Sequence, residues 1–241
     1  MNAGKVTFTV LNGASTVGTP TTSGTVANGA AIISYALPAG TPAGTYTIQA
    51  VYSDAGGSLG SSSGSASLIV GPATPIITWS TPASITYGTA LSSTQLKATA
   101  SISGTFSYSP AAGTVLPAGR QTLNVTFTPS DATDYTTATK SVSLTVNLAT
   151  PKFSPGAGSY TSAQTVTMTD SPGAAIYYTT DGTTPTTGST PYQNSVSVSE
   201  SVTIKAIAVE SGLTNSTVGT AAYALKVPTP VIGPPGSGTY S

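Results

Sequence analysis

The chain has 241 residues, room for one to three small domains, and is 38% hydrophobic with only 6% charged residues. Seven basic side chains balance seven acidic ones, so no long-range field draws it to nucleic acid or anionic lipid. With no Cys and no His, it lacks disulfide and thiolate chemistry, the commonest general base and the commonest transition-metal ligand.

Strand patterns begin at once. Val6, Phe8 and Val10 alternate with Lys5, Thr7 and Thr9. Met1-Asn2-Ala3-Gly4 leads straight into this pattern with no signal peptide, so the N-terminus is expected to be a cut edge. The alternation returns at Ala66-Leu68-Val70, Leu123-Val125-Phe127, Val142-Leu144-Val146, Val166-Met168, Val196-Val198 and Val202-Ile204-Ala206-Ala208. Further strands are expected around Ile85-Thr86-Tyr87, Leu96-Lys97-Ala98-Thr99 and Thr105-Phe106-Ser107-Tyr108. A period of two is what a half-buried antiparallel strand requires, and no segment shows a period of 3.6. Gly and Pro, 26 and 18 residues, punctuate the strands. The fold class predicted is all-β: tandem antiparallel β-sandwich modules of immunoglobulin-like type, joined by short Pro-containing linkers. No apolar run approaches the roughly 18 residues a membrane helix needs, so no membrane span is expected.

One block repeats. Pro42-Ala43-Gly44 followed by Thr45 to Tyr52 is echoed 75 residues later (42 to 117) by Pro117-Ala118-Gly119 followed by Arg120 to Phe127. Ile48/Leu123, Ala50/Val125 and Tyr52/Phe127 are expected on one face. A period of this length is one small domain. Thr-Pro linkers at Thr74-Pro75, Thr150-Pro151 and Thr229-Pro230 set the boundaries. The modules are expected at 1–71, 72–148 and 149–227, with the start of a further copy of the third over 228–241. About thirty residues precede the Thr105 strand in the second module, but only three or four precede its counterpart in the first. The first module is therefore expected to lack two strands, leaving an open sheet edge and a half-covered core.

Few residues suggest chemistry. Gly60-Ser61-Ser62-Ser63-Gly64 matches G-x-S-x-G, but a serine nucleophile needs a base and the flanks read loop into strand. Asp131 and Asp134 share one turn, with Asp54 at the comparable place in the first module. They read as turn-forming carboxylates or as a weak calcium site. Tyr135 reads as a ring closing the sandwich end, and Trp79 as a core or inter-module plug. Asp181-Gly182 reads as a hairpin turn. Tyr177, Tyr178 and Tyr192 are the candidate glycan contacts, because aromatic faces stack on pyranose rings; adjacent Tyr177 and Tyr178 must point to opposite faces. The seven scattered carboxylates offer no catalytic pair for glycoside hydrolysis. No catalytic, metal or cofactor residue is assigned, and no enzymatic activity is expected.

The modules resemble known families. Gly4-Lys5-Val6-Thr7-Phe8 with Ala43 to Tyr52 resembles a bacterial immunoglobulin-like repeat. Ile85-Thr86-Tyr87-Gly88, Phe106-Ser107-Tyr108 and Phe127 to Tyr135 resemble the related MBG-like repeats. Ile176-Tyr177-Tyr178-Thr179-Thr180-Asp181-Gly182-Thr183-Thr184-Pro185, then Tyr192, then Val202 to Ala208, resembles the C-terminal β-sandwich module of chitobiase and β-hexosaminidase. The resemblance implies a secreted or cell-surface bacterial protein, and in that family the third module is an accessory domain without catalytic residues to carry over. The expected function is a non-catalytic spacer array presenting other domains, with adhesion as a further role. The alternative is a set of carbohydrate-binding accessory modules attached to a glycan-active enzyme. Expected partners are neighbouring modules of the same chain and a polysaccharide or surface protein, with no nucleic acid.

Overall fold

The computed structural model describes residues 4–57 and 59–226. Among these, regular secondary structure is strand alone, as the β-branched and aromatic alternation demands. The further copy expected over 228–241 lies outside the described residues. No helix among the described residues is long and apolar enough to cross a membrane.

The first sheet holds β1 (Lys5–Asn12), β2 (Ser15–Thr22), β3 (Gly44–Ser53) and β4 (Ser62–Val70), in the order β2-β1-β3-β4. All three pairings are antiparallel. β1 turns into β2 through Gly13-Ala14, between paired Asn12 and Ser15. Gly13 has φ +60°, which Gly adopts without steric cost.

The next strands are β5 (Ile77–Thr78), β6 (Ile85–Thr86), β7 (Thr99–Ala100), β8 (Gly104–Ser109), β9 (Gly119–Pro129) and β10 (Ala138–Asn147). Four of them form a sheet in the order β6-β10-β9-β8, and β5 pairs with β7. The strand expected at Leu96–Thr99 is shorter than the sequence suggests and pairs only at Thr99 and Ala100. Residues 92–96 turn instead: Leu96 N–H donates to the Ser92 carbonyl at 3.0 Å, and the Gln95 side-chain carbonyl accepts Ser92 N–H at 3.1 Å. A side chain that satisfies backbone locally competes with a strand ladder.

The remaining strands make two facing sheets. They are β11 (Lys152–Ser154), β12 (Gly158–Tyr160), β13 (Gln164–Thr169), β14 (Ala175–Thr179), β15 (Thr190–Pro191), β16 (Val196–Val198), β17 (Val202–Val209) and β18 (Gly219–Leu225). The sheet orders are β11-β13-β16 and β12-β18-β17-β14-β15. Val166, Met168, Val196 and Val198 from the first sheet meet Ile176, Ile204, Ala206, Ala221 and Tyr223 from the second. Each large side chain fully buried there stabilises the sandwich by about 1.5–3 kcal/mol.

Two edges are closed in the same way. β6 runs parallel to the last strand of its sheet, β10, pairing Ile85 with Val146. β12 runs parallel to β18, pairing Gly158 with Tyr223. The corresponding edge of the first sheet, the outer side of β4, carries no such strand among the described residues.

The repeated face is buried unequally. Leu123, Val125 and Phe127 are 0, 1 and 0% exposed, whereas their counterparts Ile48, Ala50 and Tyr52 are only half-buried. An open apolar groove of about 410 Å³, lined in part by Phe8, Val10, Ile48 and Leu68, lies on the first sheet. By packing, the chain divides into two compact units. Among the described residues, one consists of residues 4–57 and 59–78, Ala98–Ser107 and Val125–Lys140; the other of Trp79–Lys97, Tyr108–Asn124 and residues 141–226.

Candidate functional site

The candidate tyrosines and the Asp-Gly turn lie in the sandwich formed by β11–β18, around the 180–192 connection. Its turn starts at Asp181, whose Oδ1 accepts the Thr183 amide at 3.0 Å and the Thr183 hydroxyl at 2.6 Å. These bonds, with Lys205 as a smaller contribution, hold the Asp181 carboxyl below its ordinary value. Gly182 takes φ +79°. Its carbonyl accepts the Lys205 ammonium at 2.6 Å, and Thr179 Oγ1 donates to the Thr183 carbonyl at 2.7 Å. The Asp-Gly pair thus acts as a backbone organiser. Beside it an open groove of about 480 Å³ runs past Asp181, Glu200, Ser201 and Thr203 to Ala222 and Ala224.

The three candidate tyrosines divide between two faces. Tyr178 and Tyr192 meet edge to face, centroids 6.5 Å apart, and both pack against the core. The Tyr192 hydroxyl accepts the Met168 amide at 2.9 Å and donates to the Asn194 carbonyl. Tyr177, one residue along β14, takes the opposite face, in register with Pro191 and Ile207. It is half-buried, beside the exposed Pro191.

Other singled-out residues also hold backbone. Asp131 Oδ1 accepts the amides of Thr133 and Asp134 at 3.0 and 3.1 Å, and Asp54 Oδ1 accepts that of Gly56 at 3.0 Å. These are Asx turns. Asp134 reaches elsewhere: its Oδ1 accepts the Ala43 amide at 2.7 Å. Tyr135 forms a parallel bridge with Ala73. Trp79 is 4% exposed, its indole N–H donates to the Gln95 carbonyl at 3.0 Å and its ring meets Tyr108 edge-on at 5.4 Å. Gly60–Gly64 is exposed and runs from a loop into β4. Among the described residues no three acidic side chains converge as a metal site would require.

Sequence reasoning missed the hydroxyl braces. Tyr46, Tyr160 and Tyr223 donate to the carbonyls of Pro42, Gly156 and Pro155 at 2.8, 2.6 and 2.7 Å. Two of these span four residues, a spacing visible in the sequence.

This geometry defines a class: tandem β-sheet modules, antiparallel but for two short parallel edge strands, whose polar side chains fasten turns and edges. More particularly, residues 155–220 match the family model of the chitobiase/beta-hexosaminidase C-terminal domain. No curated protein matches the sequence. Among solved structures, a tetra-tandem repeat in the extending region of a large adhesion protein is similar over 94% of this chain and 68% of its own, at 17% identity and a TM-score of 0.29. Protocadherin gamma B2 extracellular cadherin domains 3–6 are similar over 91% of this chain and 68% of their own, at 12% identity and a TM-score of 0.22.

Proposed function

We propose that the chain is a non-catalytic spacer array from an extracellular or cell-surface protein, with modules at 1–71, 72–148 and 149–227 that hold other domains away from their anchor. One observation carries this reading: three aspartates and four tyrosines that could serve a site are engaged with backbone instead. Asp54, Asp131 and Asp181 accept turn amides, and the hydroxyls of Tyr46, Tyr160, Tyr192 and Tyr223 donate to backbone carbonyls. A module fastened this way keeps its length under load without presenting a reactive group. Adhesion would then belong to the domains the array presents.

Single-molecule stretching tests the reading. A spacer array unfolds module by module, each step releasing roughly 250 Å of chain for 75 residues. Passage over chitin and other polysaccharides supplies the contrary outcome. Retention that is lost in Tyr177→Ala would replace the spacer reading with a carbohydrate-binding one.

A further inference from the structure

The Pro-Ala-Gly turn meets the same kind of neighbour twice. In the first instance the Ala43 amide donates to Asp134 Oδ1 at 2.7 Å, across 91 residues. Asp134 lies in the loop from β9 to β10, the last hairpin of the second module. That loop also takes the linker. The Ala73 amide donates to the Asp134 carbonyl at 2.8 Å, the Thr136 amide returns to the Ala73 carbonyl at 2.9 Å, and the Thr74 and Thr136 hydroxyls lie 3.0 Å apart. All of these residues belong to one compact unit.

In the second instance the neighbour is Leu213, in the loop from β17 to β18, the last hairpin of the third module. A Cβ added to Gly119 would sit 3.5 Å from Leu213 Cδ2, ordinary contact distance. Gly119 is buried, and its φ of +104° reserves the position for glycine. The linker is again tied down: the Ala149 amide donates to Ser171 Oγ at 3.0 Å, and Leu148 is 4% exposed. These residues lie together in the other unit.

Both turns are braced from within their own module by the side chain four residues after the proline. The Tyr46 hydroxyl donates to the Pro42 carbonyl at 2.8 Å, and Gln121 Nε2 donates to the Pro117 carbonyl at 3.1 Å. A turn held rigid by its own strand offers a fixed platform, and the neighbouring loop meets that platform in both cases.

We propose that the Pro-Ala-Gly turn is a docking seat for the last hairpin loop of the following module, with Asp134 as the latch of the first seat. The proposal deepens the spacer reading and rests on it. A Pro linker alone restricts its own backbone but leaves the modules free to swivel. A charge-assisted bond from a carboxylate to a fixed amide, added to the linker pairing, removes that freedom. The two seats use different chemistry, a carboxylate at the first and a leucine at the second. Each seat is therefore matched to its own successor, and module order is written into the joints.

The natural absence of Cys permits clean paired spin labels. Thr16→Cys and Thr126→Cys are exposed sites on either side of the first seat. With Asp134 intact, the distance distribution is single and narrow. In Asp134→Ala the fraction of open joints rises about tenfold, as loss of a charge-assisted bond implies. Ala43→Pro, which removes the donor, reproduces the effect, and Asp134→Asn, which keeps an acceptor, largely restores the narrow distribution. At the second seat, Leu213→Ser broadens the distribution between Thr122→Cys and Ser197→Cys. Circular dichroism identifies any variant that fails to fold, and the remaining variants then decide. Widths unchanged in the folded variants overturn the seat and leave the spacer reading standing. Polysaccharide retention overturns the spacer reading and leaves the widths as evidence for the joint.

Discussion

The amide of Met168 donates to the hydroxyl of Tyr192 at 2.9 Å, tying β13 to the connection that follows β15. The same hydroxyl donates onward to Asn194, so one oxygen fastens two backbone segments. Tyr192→Phe keeps the ring against the core and leaves the Met168 amide unpaired. The expected cost is about 1–3 kcal/mol, read as a lower urea midpoint for the β11–β18 sandwich. An unchanged midpoint would show that the hydroxyl only decorates a ring held by packing.

Leu123 and Ile48 occupy the same place in the repeated block but not the same environment. Leu123→Ala removes a side chain with no exposed surface and is expected to destabilise its module by about 2–5 kcal/mol. Ile48→Ala starts half-buried on the first sheet and is expected to cost roughly half as much. Amide exchange gives a parallel reading, with protection over Gly119–Pro129 exceeding that over Gly44–Ser53. Equal costs and equal protection would mean that the first sheet is as well covered as the second.

The β11–β18 sandwich responds to pH through two carboxylates with opposite shifts. Burial raises the Asp170 carboxyl, against the lowering effect of its bonds to Ser171, and its Oδ2 is enclosed without a partner. The folded state therefore holds this proton more tightly than the unfolded chain. Its stability contribution is full below the ordinary carboxylate value and is lost as pH rises through the raised one. Asp181 is lowered, so its contribution is present above the ordinary value and is lost as pH falls through the lowered one. Denaturation midpoints should pass through a maximum near the ordinary carboxylate range. Asp170→Asn flattens the limb above it and Asp181→Asn the limb below. Variants that both retain the wild-type profile would remove these two groups from the account.

Much of the fold was legible in the sequence because burial on one face writes itself as alternation. Leu123, Val125 and Phe127 carry that pattern and lie in β9 as expected. β2 was not legible, because Ser15–Thr22 has no buried residue and so no reason to alternate; the clue was Gly13 opening a two-residue loop. The Leu96 strand was overstated because Gln95 uses its side chain on the Ser92 amide. At the candidate site, the opposition of Tyr177 and Tyr178 followed from strand geometry. The bond from the Met168 amide to the Tyr192 hydroxyl did not, since the two residues are 24 apart. The Asp134 latch was hidden for the same reason: local pattern identifies a turn-forming carboxylate and says nothing of an amide 91 residues distant.

The short parallel strands that close the two later sheets have a mechanical consequence. In the β11–β18 sandwich β12 lies beside β18, so an early strand and the last one are neighbours pointing the same way. Opposed tension on the two ends of this sandwich would strip β11 from β13 and then load β12 against β18 along their length. The hydrogen bonds between them lie across that motion and must yield together rather than peel one after another. β6 on β10 has the same geometry. The clamp thus resists in shear, the loading direction in which a few bonds withstand the greatest force.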